Sequence, residues 1–159
     1  MRRSPPIIGV IGAGQCDPTG YQLALEVGRE IARRGALLVC GGLTGVMEAA
    51  ARGAAAEGGL TIGILPGPLT KDANAYIRVP VATDMGQARN VIIVHTADAL
   101  IAVSGGAGTL SEIGHALKAE KPVIGLQTIP NLNGVRYVKT APEAVHEALR
   151  LVTEDPHSQ

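Results

Sequence analysis

Ser104-Gly105-Gly106-Ala107-Gly108-Thr109, followed shortly by Glu112, is the stretch of this 159-residue chain whose residue types can do chemistry. Three glycines in six residues expose backbone N–H groups without Cβ obstruction, and a helix opening there aims its positive dipole end at an anion. Glu112 falls in the first turn of that helix. Binding an anion needs no carboxylate, so its presence beside an anion hole points to a proton or a cationic centre to be managed. Arg89 lies on the preceding helical segment and offers a fixed cation. Singly, each has a plain structural reading, Arg89 as a surface ion pair and Glu112 as a residue that favours a helix N-terminus.

The elements that must position these residues alternate between two periodicities, as in a parallel α/β sheet. Strands are expected at Ile7 to Ile11, Ala36 to Cys40, Leu60 to Leu65, Ala99 to Val103 and Pro122 to Leu126, with a weaker one at Tyr76 to Val81 and a last one at Val135 to Val138. Pro80 suits an edge strand. Helices are expected from a capping box at Thr19 to Gln22 up to Gly35, and from the Gly41 to Gly45 turn to Gly58. Others follow from Met85 to Thr96 behind a Thr83 or Asp84 cap, from Thr109 to Ala119, and from a second capping box at Thr140 to Glu143 to about Val152. This reads as one doubly wound, Rossmann-like α/β domain over residues 1–153 with a mostly parallel sheet, and a flexible tail at 154–159.

In such a sheet ligands bind beyond the carboxyl ends of the strands. Three glycine-rich turns fall there: Gly12-Ala13-Gly14-Gln15, Gly41 to Gly45, and Ser104 to Thr109. One such turn is weak evidence, since glycine also closes ordinary tight turns; three at one edge favour a phosphate-bearing ligand. A dinucleotide fits poorly, because Asp17 stands where the third glycine of the fingerprint belongs and no acidic residue ends the second strand. No GK[ST] follows any turn, which argues against a P-loop. Ala102-Val103-Ser104-Gly105-Gly106 is not a nucleophile elbow, and the histidines at 95, 115, 146 and 157 share no metal-ligand spacing.

Composition narrows the partners further. Fourteen basic and fourteen acidic residues give zero formal net charge, and with no Phe or Trp and three Tyr there is little to stack on bases, so no nucleic-acid partner is expected. Cys16 and Cys40 are far apart in sequence and suggest a reducing compartment. No apolar run reaches a membrane span, and a cytoplasmic location is expected.

GGLTGVMEAAARGAAAEGG, DMGQARN and SGGAGTLSE, in this order, resemble the Lonely Guy (LOG) superfamily, also known as possible lysine decarboxylases, from Ile8 to about Leu126. The resemblance matches Arg89 to the family's ERK-type arginine and Glu112 to the last residue of its PGGxGTxxE motif. It implies hydrolysis of the N-glycosidic bond of a nucleoside 5′-monophosphate to free base and ribose 5-phosphate. Glu112 would stabilise oxocarbenium character and orient or deprotonate water, while Arg89 would hold the phosphate or ribose or position Glu112. Gly105, Gly106, Gly108 and Thr109 would hold the phosphate, with Gly12, Gly14, Gly42, Thr44 and Ser104 in the same turns.

Ser104 stands where the enzymes usually have proline and Asn90 where they usually have lysine, and MGxARN and GGxGTLSE, in a chain this short, resemble the molybdenum-cofactor-carrier-like branch of the superfamily. The alternative implied is a non-catalytic carrier of molybdenum cofactor, a phosphorylated pterin. No metal or cofactor is required for hydrolysis; in the alternative the molybdenum cofactor is the bound ligand. The resemblance also implies a homodimer or higher homo-oligomer. A more distant likeness, to the single-stranded-DNA-binding DNA-processing protein A fold, is opposed by the neutral charge and missing aromatics.

Overall fold

Seven short strands, each built from apolar residues on both faces, pair into one wholly parallel sheet in a computed structural model that describes residues 4–154. They are β1 (Ile7–Gly12), β2 (Leu37–Cys40), β3 (Thr61–Leu65), β4 (Val79–Ala82), β5 (Ala99–Val103), β6 (Val123–Leu126) and β7 (Val135–Val138), in the spatial order β4-β3-β2-β1-β5-β6-β7. The helices are α1 (Pro18–Arg33), α2 (Val46–Ala56), α3 (Arg89–Thr96), α4 (Ala107–Lys118) and α5 (Ala141–Glu154).

Alternate strand residues serve two separate cores, because successive side chains leave a strand on opposite faces. Ile8, Val10, Leu38, Ile101, Val103 and Ile124 pack under α1, α2 and α5. Their neighbours Ile11, Val39, Leu100, Ala102 and Val123 pack under Ile93 and Val94 of α3 and Ile113 and Ala116 of α4. The single Rossmann-like α/β architecture expected from the periodicity is therefore the one observed.

Several boundaries differ from expectation for identifiable reasons. Helix α1 begins at Pro18, where the fixed φ of proline suits the first helical position, and Asp17 rather than Thr19 caps it by accepting from Gly20 N–H at 2.7 Å. The helix expected from Met85 starts at Arg89 instead: Asp84 (φ 53°) and Gly86 (φ 59°) are left-handed, and Gly86–Ala88 forms a 3₁₀ turn. Neither Thr83 nor Asp84 caps α3; the Thr83 hydroxyl donates to the Leu65 carbonyl at 2.6 Å and accepts from Met85 N–H at 3.2 Å. Helix α4 opens at Ala107, two residues before Thr109. Helix α5 runs through Glu154, the first residue of the expected tail, and residues 155–159 lie outside those described. Among the described residues no helix is long and apolar enough to cross a membrane.

The order of strands places the site. From β1 the chain crosses to β2 on one side, whereas β5 pairs with β1 on the other, with Gly12 in register with Val103. The loops leaving β1 and β5 therefore diverge, and a crevice opens at this topological switch point.

Candidate functional site

A cavity of about 430 Å³ fills that crevice. It is lined by Gly12, Ala13 and Gly14 after β1, Gly41, Leu43, Thr44 and Met47 after β2, Gln87, Arg89, Asn90 and Ile93 around the start of α3, and Gly106, Gly108, Thr109 and Glu112 at the start of α4. Three turns distant in sequence thus meet because parallel strands deliver all their carboxyl ends to one edge.

Helix α4 has Gly106 at its N-cap with no side-chain hydrogen bond to the first turn. Its leading N–H groups therefore lack a capping side chain, and the helix dipole adds partial positive charge at this end. A Cβ added to Gly106 or Gly108 would meet nothing within 4 Å, so this is open space rather than packed turn.

Not every glycine in these motifs faces the cavity. Ser104 (φ 57°) and Gly105 (φ 112°) sit behind it. The Ser104 N–H donates to the Gln127 carbonyl at 3.1 Å and its carbonyl accepts from the Thr128 hydroxyl at 2.6 Å, so the turn is stitched to the segment after β6. Gly105 leaves room for the Thr109 side chain, which a Cβ there would strike. Gly42 (φ 78°) is also outside the lining, buried against Gly63 and Leu65. Gly12 lines the cavity, but its missing side chain is needed elsewhere: a Cβ would overlap the Val103 carbonyl and lie 2.7 Å from Val46 Cγ1. Thr44 donates to the Gly14 carbonyl at 2.8 Å and Val46 N–H to the Ala13 carbonyl at 3.0 Å, so the β1 and β2 loops are tied together.

Arg89 is buried, 6% exposed, and its charge is stabilised by protein acceptors. Nε donates to the Ile64 carbonyl at 2.8 Å, Nη2 to the Gly41 carbonyl at 3.4 Å, and Nη1 to Asn90 Oδ1. Gly41 must be glycine for this, since a Cβ would lie 2.7 Å from Nη2. Burial lowers the Arg89 pKa, and the field of Glu112 opposes the shift. Glu112 is half-buried on the cavity wall. Burial pushes its carboxyl up to about 7 against the pull of the Arg89 guanidinium.

That shift has a stability consequence with a definite sign. A carboxyl whose folded pKa is raised binds a proton in the native state where the unfolded chain has lost it. Its contribution is fully present below the ordinary value of 4.5 and is lost as pH rises to about 7. Denaturant unfolding between pH 4.5 and 7 is therefore expected to show stability falling with pH, and Glu112→Gln is expected to remove that part of the slope. An identical slope in the variant would contradict the environment assigned to Glu112.

Gln87, Met47 and Ile93 belong to the lining but not to the glycine motifs that marked the site in the sequence, and Leu43 lies within one of those motifs without standing out by type. Gln87 and Asn90, three apart around Arg89, carried a faint signal. The three apolar side chains carried none, being indistinguishable from core residues by type.

A model of the SLOG cluster4 family matches residues 5–155. The chain belongs to the SLOG cluster4 family. Among SLOG relatives, an uncharacterized protein of Archaeoglobus fulgidus is 53% identical over 140 residues, covering 87% of this chain and 91% of that protein. The cytokinin riboside 5′-monophosphate phosphoribohydrolase of Mycobacterium tuberculosis is 35% identical over 128 residues, 72% of this chain and 66% of the enzyme. The solved molybdenum cofactor binding protein of Rippkaea orientalis superposes with a TM-score of 0.88 at 38% identity, over 96% of this chain and 99% of that one. The resemblance to LOG proteins seen in the motifs is thus borne out, and this SLOG chain is similar both to phosphoribohydrolases and to molybdenum cofactor binding proteins.

Proposed function

We propose that the cavity holds a small phosphorylated heterocycle, with its phosphate at the uncapped N-terminus of α4 and the remainder passing Arg89 and Glu112 toward Leu43, Met47 and Gln87. The observation that carries this is the open glycine-lined helix end, with its N–H groups free of any capping side chain, in the crevice at the switch point. Anions bind such ends through oriented amides and the dipole, without a second cation.

Of the two ligand types, we favour a phosphorylated pterin of the molybdenum-cofactor kind, held as cargo by a carrier. Two observations support this ranking over the hydrolysis that the sequence motifs place first. Similarity to the Rippkaea orientalis protein extends over essentially the whole of both chains, whereas the Mycobacterium tuberculosis enzyme matches over 66% of its length. The Arg89 guanidinium also has a protein acceptor at each of its three nitrogens. Neither reading requires a metal held by protein ligands.

Hydrolysis of a nucleoside 5′-monophosphate is the second reading, favoured by Glu112. A carboxyl that titrates at about 7 on the cavity wall suits a general acid or base at neutral pH.

Incubating the purified protein with a panel of nucleoside 5′-monophosphates, and analysing the protein as purified by mass spectrometry, separates the two. A carrier releases no base and binds or co-purifies with a pterin or molybdate species. Release of free base with ribose 5-phosphate overturns the carrier reading. In that event Glu112→Gln is expected to slow release by about 10²–10⁴-fold while nucleotide binding is kept; equal rates would remove Glu112 from the chemistry.

A further inference from the structure

Arg89 and Glu112 line one cavity with opposite charges, yet they do not pair: the ion pairs among the described residues lie on α1, at the end of α2, on β7 and on α5. Two of Arg89's three acceptors are backbone carbonyls, of Ile64 in β3 and Gly41 at the end of β2, and these are fixed by the sheet. The third is a side chain. Asn90 Oδ1 takes Nη1, and Asn90 is itself buried, 8% exposed, with Nδ2 donating to Gln87 Oε1 at 3.4 Å. The Glu112 carboxylate has no hydrogen-bond partner among the described residues. An unpaired carboxylate raises the charged-form cost of a partly buried site unless a cation is close enough to offset it.

We propose that Asn90 is a positioning residue that holds the Arg89 guanidinium off Glu112, so that the Glu112 carboxyl stays free to face the ligand. The use made of that free carboxyl rests on the ligand site described above, but the device itself is a property of the unliganded chain. With Oδ1 in place, Nη1 is bonded to its neighbour on α3 and makes no ion pair with α4. A side chain at this position without an acceptor could not do this. Of the titratable groups near Glu112, Arg89 comes from α3 and the Cys40 thiol from β2. Strands β1, β5 and β6, which pack against α4, bring none, and His95 of α3 and His115 of α4 are exposed.

The test is a ¹³C NMR titration of the Glu112 carboxyl in the ligand-free protein, assigned by its disappearance in Glu112→Gln. In Asn90→Leu, of similar size but without an acceptor, Nη1 is expected to turn to Glu112 and lower its midpoint by about one pH unit or more. Asn90→Asp keeps the acceptor and adds a like charge, so its midpoint is expected to stay or rise. Asn90→Ala replaces the leucine variant if thermal melting shows that the latter does not fold. A midpoint that is unchanged or raised in the variant lacking the acceptor overturns the proposal. Because no ligand is present, failure to bind any phosphorylated ligand would overturn the functional reading without touching this one.

Discussion

Gly108→Asp is expected to bind a phosphorylated ligand at least about 100-fold more weakly than the parent while folding at least as well. Gly108 is the second residue of α4, exposed, with open space where its Cβ would stand. A carboxylate in the first turn of a helix is stabilising by some 0.3–1 kcal/mol, roughly, because it meets the positive dipole end. The same carboxylate would occupy the place offered to a phosphate. Two unit charges 4 Å apart repel by about 4 kcal/mol at an effective dielectric constant near 20, enough for the stated loss. Calorimetric titration with a nucleoside 5′-monophosphate and with inorganic phosphate, beside a thermal melt, reads both effects. Unchanged affinity with a raised melting temperature would show that the phosphate does not sit on α4.

The largest expected loss of stability follows from Gly53→Ala. Helices α1 and α2 cross with their backbones in contact: a Cβ on Gly53 would overlap the Leu25 carbonyl and lie 3.0 Å from the Arg29 nitrogen, and one on Gly28 would overlap the Ala50 carbonyl. Alanine is the better helix former by about 1 kcal/mol. Here the obstacle is helix backbone, which cannot step aside as a side chain does, so the helices must separate. Overpacking of about 3 kcal/mol or more outweighs the propensity gain, leaving a net loss near 2 kcal/mol and a melting temperature lower by roughly 4–8 °C for a chain of this size. Circular dichroism melts of Gly53→Ala and Gly28→Ala check this. A melting temperature at or above that of the parent would mean that the crossing has slack and propensity decides.

The two glycine roles explain why the site was only partly legible. Spacing marked Gly12, Gly42, Gly105 and Gly108 alike as turn glycines beside a ligand. Only the fold separates Gly108, which borders open space, from Gly12, which yields room to the Val103 carbonyl, and from Gly42, which packs on Gly63 and Leu65. A glycine in the sequence records that a side chain is not tolerated, not what would collide with it. In the same way the helix before β5 was visible by its apolar period, but its start was not: the left-handed Asp84 and Gly86 are set by ties from Asp84 N–H and Gly86 N–H to the carbonyls of Gly67 and Pro66 across the sheet edge. Asp17 took the cap that Thr19 was expected to hold because Pro18 fixes the first helical residue just behind it.

By itself the sequence determined what is local or periodic. Alternating β-branched runs and amphipathic helices specify a parallel α/β sheet, and the Ser104–Glu112 stretch specifies a glycine-rich helix start closely followed by a carboxylate, because both depend on neighbours a few residues apart. Tertiary structure alone decided that the turns after β1, β2 and β5 share one cavity, since strand order sets which carboxyl ends are adjacent. It also decided that Arg89 and Glu112 line that cavity together without pairing. Two of the acceptors that hold Arg89, the carbonyls of Gly41 and Ile64, are distant in sequence and come within reach only in the folded sheet, beside the local carboxamide of Asn90. The charge at the site was written in the chain, and the distance between its two halves is a property of the fold.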